Sequence, residues 1–114
     1  MSGISTHVLD TSRGTPAAGV AVTLERDAGG GRWATLASTK TDADGRVKTL
    51  LPDGTTLSAA TYRLRFESGA YFRASGAACF HPRVEIVFDV TDASKHHHVP
   101  LLISPFGYTT YRGT

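Results

Sequence analysis

Three basic side chains stand in apolar or turn contexts: His7 within Ser5-Thr6-His7-Val8-Leu9-Asp10, Arg46 directly after Asp44-Gly45, and His98 ahead of Val99-Pro100-Leu101-Leu102. An imidazole has an unperturbed pKa of about 6.5, so it can take up and return a proton near neutral pH. A guanidinium stays cationic, and its planar fork matches paired acceptor oxygens. Two imidazoles and a guanidinium would therefore suffice to activate water and to hold a developing oxyanion. Each also has a plainer reading, because histidine is intermediate in burial and a strand histidine is commonly a satisfied core or surface residue.

The run His96-His97-His98 raises metal binding as a second chemistry. Alternate residues of a strand share a face, so His96 and His98 would offer two imidazoles together. A catalytic zinc takes three protein ligands with partners behind them. The third would have to be His7 or an acid, and the nearby acids are Asp89 and Asp92. The reading adopted is no metal and no cofactor. At the C-terminus, strand parity sets Tyr108, Thr110, Arg112 and Thr114 on one side and Thr109 and Tyr111 on the other. Either this is a solvated edge strand, or the last residues fold into a site and offer hydroxyls and a guanidinium to a polar ligand. The residues alone leave both open.

Short β-rich runs punctuated by twelve glycines and five prolines must position these groups. Ile4-Asp10, Val20-Arg26, Arg32-Thr41, Tyr62-Glu67, Val84-Val90, Val99-Ser104 and Tyr108-Arg112 read as strands, with a short one near Arg46-Leu50. Alternation is clearest at Tyr62, Leu64 and Phe66 and at Val84, Ile86, Phe88 and Val90. Gly29-Gly30-Gly31, Asp44-Gly45 and Pro52-Asp53-Gly54 suit turns. One helix is expected over Ser68-Ala78, with Ser68 as its cap and His81-Pro82 beyond its end.

A chain of 114 residues without internal repeats predicts one domain over 1–114. Twelve basic and ten acidic residues, spread along the chain for a net +2, give no block suited to nucleic acid or to an anionic membrane. The lone Cys79 cannot form an internal disulfide, which favours a reducing compartment. The opening MSGISTHVLD lacks the pattern of a secretory leader, and no apolar run is long enough for a membrane span.

Across almost its entire length the chain resembles the 5-hydroxyisourate hydrolases. The resemblance rests on Ser5-Thr6-His7-Val8-Leu9-Asp10 with Gly14-Thr15-Pro16-Ala17-Ala18-Gly19, on Asp42-Ala43-Asp44-Gly45-Arg46, and on Thr61-Tyr62-Arg63-Leu64 with Gly69-Ala70-Tyr71-Phe72. It is most specific from His98 to the final Tyr111-Arg112-Gly113-Thr114, where the family ends in Tyr-Arg-Gly-Ser. Threonine keeps the hydroxyl and adds a methyl. A second departure is His97, commonly tyrosine in the family; strand parity turns it away from His98.

The resemblance implies a mostly β, transthyretin-like antiparallel sandwich of two four-stranded sheets with one short helix. It also implies a homotetramer with sites in grooves between dimers. The implied activity is metal-free hydrolysis of the cyclic amide of 5-hydroxyisourate to 2-oxo-4-hydroxy-4-carboxy-5-ureidoimidazoline in urate breakdown. His7, Arg46 and His98 match the catalytic positions, and Tyr111, Arg112 and Thr114 the substrate-binding motif. Either His7 or His98 would activate the water. A cytoplasmic location is favoured over the periplasm or peroxisome. The alternative is a transthyretin-like carrier of a small ligand, with no chemistry.

Overall fold

Wherever every second side chain is apolar, a strand turns that set inward and leaves its polar partners outside. The computed structural model of the chain describes residues 3–114. Along it run β1 (Gly3–Asp10), β2 (Thr15–Pro16), β3 (Ala21–Gly29), β4 (Arg32–Lys40), β5 (Arg46–Val47), β6 (Ala60–Phe66), α1 (Ser68–Ala74), β7 (Val84–Val90), β8 (His96–Ser104) and β9 (Gly107–Thr110). One sheet is ordered β2-β1-β8-β9, with β5 also paired to β1; the other is ordered β4-β3-β6-β7.

This is the two-sheet, mostly β architecture with one short helix that the sequence predicts. The first sheet counts five strands because β2 and β5, two residues each, both pair with β1. β1 and β8 run parallel, while the other strand pairs among the described residues are antiparallel. Ile4, Val8, Leu24, Leu64, Phe66 and Leu101 are fully buried in one cluster between the sheets. Each such side chain contributes about 1.5–3 kcal/mol relative to leaving it exposed.

Several boundaries differ from the sequence reading. β8 starts at His96 rather than Val99, because His96, His97 and His98 pair with Gly3, Ile4 and Ser5 of β1. β9 stops at Thr110 rather than Arg112. Its next partner in register would be Pro100, which has no N–H to give to the ladder. Pairing resumes in the same register only at His98 and Gly113. The helix ends at Ala74 instead of Ala78, with Gly76 at φ 77°, a conformation that costs glycine little. Ser68 is not its cap: Glu67 occupies that position without a side-chain bond, and the buried Ser68 Oγ has no hydrogen-bond partner among the described residues. The helix is held instead by buried Phe72, by Gly69 N–H donating to Pro82 O at 3.1 Å, and by Tyr71 Oη donating to Asp10 Oδ2 at 2.9 Å. Among the described residues no helix is long and apolar enough to cross a membrane.

Candidate active site

The outer face of the first sheet collects the groups singled out above. In β1 the alternation sends Ile4, Thr6 and Val8 into the core, which leaves Ser5 and His7 on the opposite face. In β8 it sends His97, Val99 and Leu101 inward and leaves His96, His98 and Pro100 outside the sandwich core. His97 thus points away from His98, as parity predicts, and its Nδ1 lies 3.0 Å from Lys95 O. Registers then fix the neighbours: Ser5 lies opposite His98 across the parallel pair, and His7 lies opposite Arg46 across the antiparallel one. Three segments far apart in sequence are brought to one patch.

Arg46 is presented by a tight turn. Asp42 Oδ1 accepts from the N–H groups of Asp44 and Arg46, both at 2.9 Å, and Gly45 N–H donates to Asp42 O. Gly45 sits at φ 75°, and its carbonyl accepts from Val8 N–H at 2.7 Å, which pins the turn to β1. Any side chain at position 45 would strike the Val8 carbonyl. The Asp44 carbonyl accepts from His7 Nε2 at 2.9 Å. That bond leaves Nδ1 as the free nitrogen of His7.

His98 is held from two sides. Its Nδ1 lies 2.8 Å from Ser5 Oγ, and its backbone carbonyl accepts from Gly113 N–H at 2.9 Å. Nε2 makes no hydrogen bond among the described residues, so it is the nitrogen available to a ligand. Ser5 Oγ also lies 2.7 Å from His96 Nε2. Burial above all, then the charges of Arg46, His7 and His96, push the His98 imidazole below the usual histidine range and favour its neutral form.

Ser5, Arg46, Lys48, His96, His98 and Thr114 line a groove of about 250 Å³ on this face. Its charged side chains, Arg46 and Lys48, are both basic, which favours an anion. The chain end divides around His98. Thr114 enters the groove, whereas Tyr111 and Arg112 line an adjoining hollow of about 220 Å³ with Phe88, Asp89 and His97. Arg112 and Thr114, which strand parity put on one side, thus line different hollows. Of the six predicted site residues, Arg46, His98 and Thr114 share the groove. His7 adjoins it through its pairing with Arg46, while Tyr111 and Arg112 touch it only by way of His98. Among the described residues no three His, Cys, Asp or Glu side chains converge as a metal-binding group; His96 and His98 both turn a nitrogen to Ser5.

Sequence reasoning missed Ser5 and Lys48. Ser5 was legible only by pairing its parity in β1 with the histidines of β8, which requires the parallel register. Lys48 lies beyond a two-residue strand too short for a period to show.

The chain matches the model of the HIUase/Transthyretin family over residues 4–113. It is 47% identical to a 5-hydroxyisourate hydrolase of Caulobacter vibrioides, covering 100% of both chains. It is 45% identical to the uric acid degradation bifunctional protein TTL of Arabidopsis thaliana, of which it spans 37% while 97% of this chain is aligned. Among solved structures, Klebsiella pneumoniae 5-hydroxyisourate hydrolase superposes with a TM-score of 0.86 at 42% identity, covering 99% of this chain and 100% of the other. Sea bream transthyretin in complex with thyroxine gives 0.90 at 34% identity, over 97% and 94%. The fold is transthyretin-like, and the chain belongs to the HIUase/Transthyretin family.

Proposed function

We propose that this protein is a hydrolase that opens the cyclic amide of 5-hydroxyisourate in urate degradation. The observation that carries the reading is the arrangement at His98: Nδ1 is anchored on Ser5, Nε2 is free, and the imidazole lines, with Arg46, a groove whose charged side chains are basic. A base must be neutral and aimed before it can act; burial and the neighbouring charges favour the neutral form of His98, and its bond to Ser5 leaves Nε2 free. His7 is the weaker candidate for that role because it adjoins the groove rather than lining it.

In the proposed reaction His98 Nε2 takes a proton from water as the oxygen adds to the ring carbonyl. Arg46 holds the resulting oxyanion, and His7, opposite it in the strand pair, orients the ring. The carbon–nitrogen bond then breaks, and the proton held by His98 passes to the leaving nitrogen. The new carboxyl group ionises to give the ureido carboxylate, 2-oxo-4-hydroxy-4-carboxy-5-ureidoimidazoline. Thr114 offers a hydroxyl within the groove, and Tyr111 and Arg112 serve the substrate's periphery from the adjoining hollow. No step needs a metal.

Carriage of a small ligand would keep the sandwich, but it gives no reason for a basic groove around an anchored imidazole. Ultraviolet monitoring of freshly made 5-hydroxyisourate separates the two. Catalytic amounts of the protein should speed its decay, and should do so equally after exhaustive chelation. No acceleration over the spontaneous rate would leave carriage as the better reading, and activity lost to chelation and restored by zinc would end the metal-free one.

A further inference from the structure

The proposed reaction asks His98 to hold a proton between the addition of water and the departure of the ring nitrogen. That imidazole is poorly placed to stay charged. It is half-buried, Arg46 and Lys48 share its groove, and His7 stands beside Arg46. Behind it, Ser5 is 8% exposed and touches two imidazoles at once, His98 Nδ1 at 2.8 Å and His96 Nε2 at 2.7 Å. His96 is exposed. An exposed imidazolium keeps its hydration, whereas a buried one loses part of it.

We propose that Ser5 and His96 form a proton relay behind His98, a shuttle that moves the positive charge gained from water's proton out to His96 until the ring nitrogen leaves. The inference deepens the function proposed above and rests on it. A hydroxyl has one proton, so Ser5 can donate to only one of its two imidazoles and must accept from the other. At rest His98 carries its proton on Nδ1 and donates to Ser5 Oγ, while Ser5 donates to His96 Nε2; this leaves His98 Nε2 bare for its work. When Nε2 takes the proton of water, the Nδ1 proton moves to Ser5 Oγ and the former Ser5 proton moves to His96 Nε2. His98 is then neutral with its proton on Nε2, and His96 carries the charge. At ring opening the two inner protons return along the same path, and His98 Nε2 gives its proton to the leaving nitrogen. Each atom ends with the proton count it began with, and one proton has passed from water to nitrogen.

The relay also makes His96 a switch. If His96 is protonated from solvent, its Nε2–H must donate to Ser5, and Ser5 must donate to His98 Nδ1. The His98 proton then sits on Nε2, and the base is blocked while still neutral. The charged and titratable groups facing His98 are His7 of β1, Arg46 of β5, Lys48 after it, His96 of β8, Asp89 of β7 and the tail residues Tyr111 and Arg112. Among these, His96 alone shares a hydroxyl with His98.

His96→Asn tests this at an exposed position, and Ser5→Ala breaks the same path at its centre. Both should lower the kcat plateau roughly tenfold or more with KM little changed. His96→Asn should also move the acid limb of kcat to lower pH, since the tautomer switch is gone. Nitrogen NMR of labelled histidines in the free protein reads the relay without substrate. As pH falls, the His98 proton of the wild type should pass from Nδ1 to Nε2 before the ring becomes cationic, and His96→Asn should abolish that exchange. A wild type that fails to speed 5-hydroxyisourate decay defeats the functional reading alone. Wild-type turnover with unchanged plateau and limb in both variants, or identical His98 tautomers in wild type and His96→Asn, overturns the relay.

Discussion

The chemistry at residue scale depends on three side chains that no local rule would bring together. His7→Asn, Arg46→Lys and His98→Asn should each reduce turnover of 5-hydroxyisourate at least about 100-fold while leaving circular dichroism and melting close to wild type. Arg46→Lys is the sharpest, because lysine keeps the charge and loses the fork. Wild-type rates in any of the three would remove that residue from the mechanism. His98 also sets a direction in pH. Its affinity for protons is lowered first by burial and then by its cationic neighbours, so its neutral form persists to lower pH than that of a free imidazole. With His96 replaced, activity should follow this neutral form to correspondingly more acid pH. Gly113 supplies a steric test. A Cβ there would lie 2.6 Å from His98 Cδ2 and 3.0 Å from Pro100 Cγ. Gly113→Ala should therefore push the tail or the imidazole aside and cost kcat rather than stability, and unchanged kcat would show that neither matters to the chemistry.

At the scale of elements, strands with strong alternation were legible, and those whose pairing depends on partners were not. β6 and β7 followed from Tyr62, Leu64, Phe66 and from Val84 to Val90, whose apolar side chains are spaced by two. β2 was invisible, because Thr15–Pro16 has no period and exists by pairing with Leu9 and Asp10 of β1. The start of β8 was hidden for a related reason: three histidines carry no apolar alternation, and only β1 makes them a strand. The candidate site was half legible on that account. His7, Arg46 and His98 were found as residue types in apolar or turn contexts, but the groove linking them needs the β1–β8 register. Helix α1 gives a prediction at this scale. Fully buried Asp10 accepts from Tyr71 Oη at 2.9 Å, from Ser12 N at 3.0 Å and from Ser12 Oγ at 2.5 Å, with Arg13 more distant at 3.8 Å. Burial raises its pKa, but the bonds from Ser12 and Tyr71, with one from the Arg13 backbone N–H, together outweigh burial and hold the carboxyl below its usual range. A lowered folded-state value means stability that is present above the unfolded value of about 3.9 and is lost as pH falls through the folded one. Tyr71→Phe should cost about 1–3 kcal/mol at neutral pH by stripping a buried acceptor of its donor. It should also flatten the acid side of the stability curve. Denaturant melts at neutral and acid pH read both, and a loss that does not shrink with acidification would mean the hydroxyl is not acting through Asp10.

The whole molecule leaves its groove open and its chain end uncovered. Tyr111 is 58% exposed, and Phe80 and Phe106, both at 71%, add large apolar surface that a solitary domain of this size would not be expected to leave in water. β7 and β9 are also outer strands of their sheets, with a row of backbone donors and acceptors unpaired in the lone chain. A second copy pairing along those edges would cover both features, and two such pairs facing each other across their first sheets would narrow the groove while its His96 end stays open to water. Partial exclusion of water strengthens the charges inside a site, so a groove narrowed this way would hold an anionic ring better than an open one. The homotetramer that the family resemblance implies would meet these needs, and light scattering should then give four times the 12.1 kDa chain mass. Val87, at the middle of β7 and 58% exposed, is the place to break it. Val87→Asp should yield smaller, folded species that have lost most turnover; because Val87 also lines the hollow of Tyr111 and Arg112, the loss should follow the assembly state and recover where high concentration restores the tetramer. Full activity in a folded monomer would mean that one chain holds the complete site, and that the tail residues Tyr111 and Arg112 need no neighbour to reach the substrate.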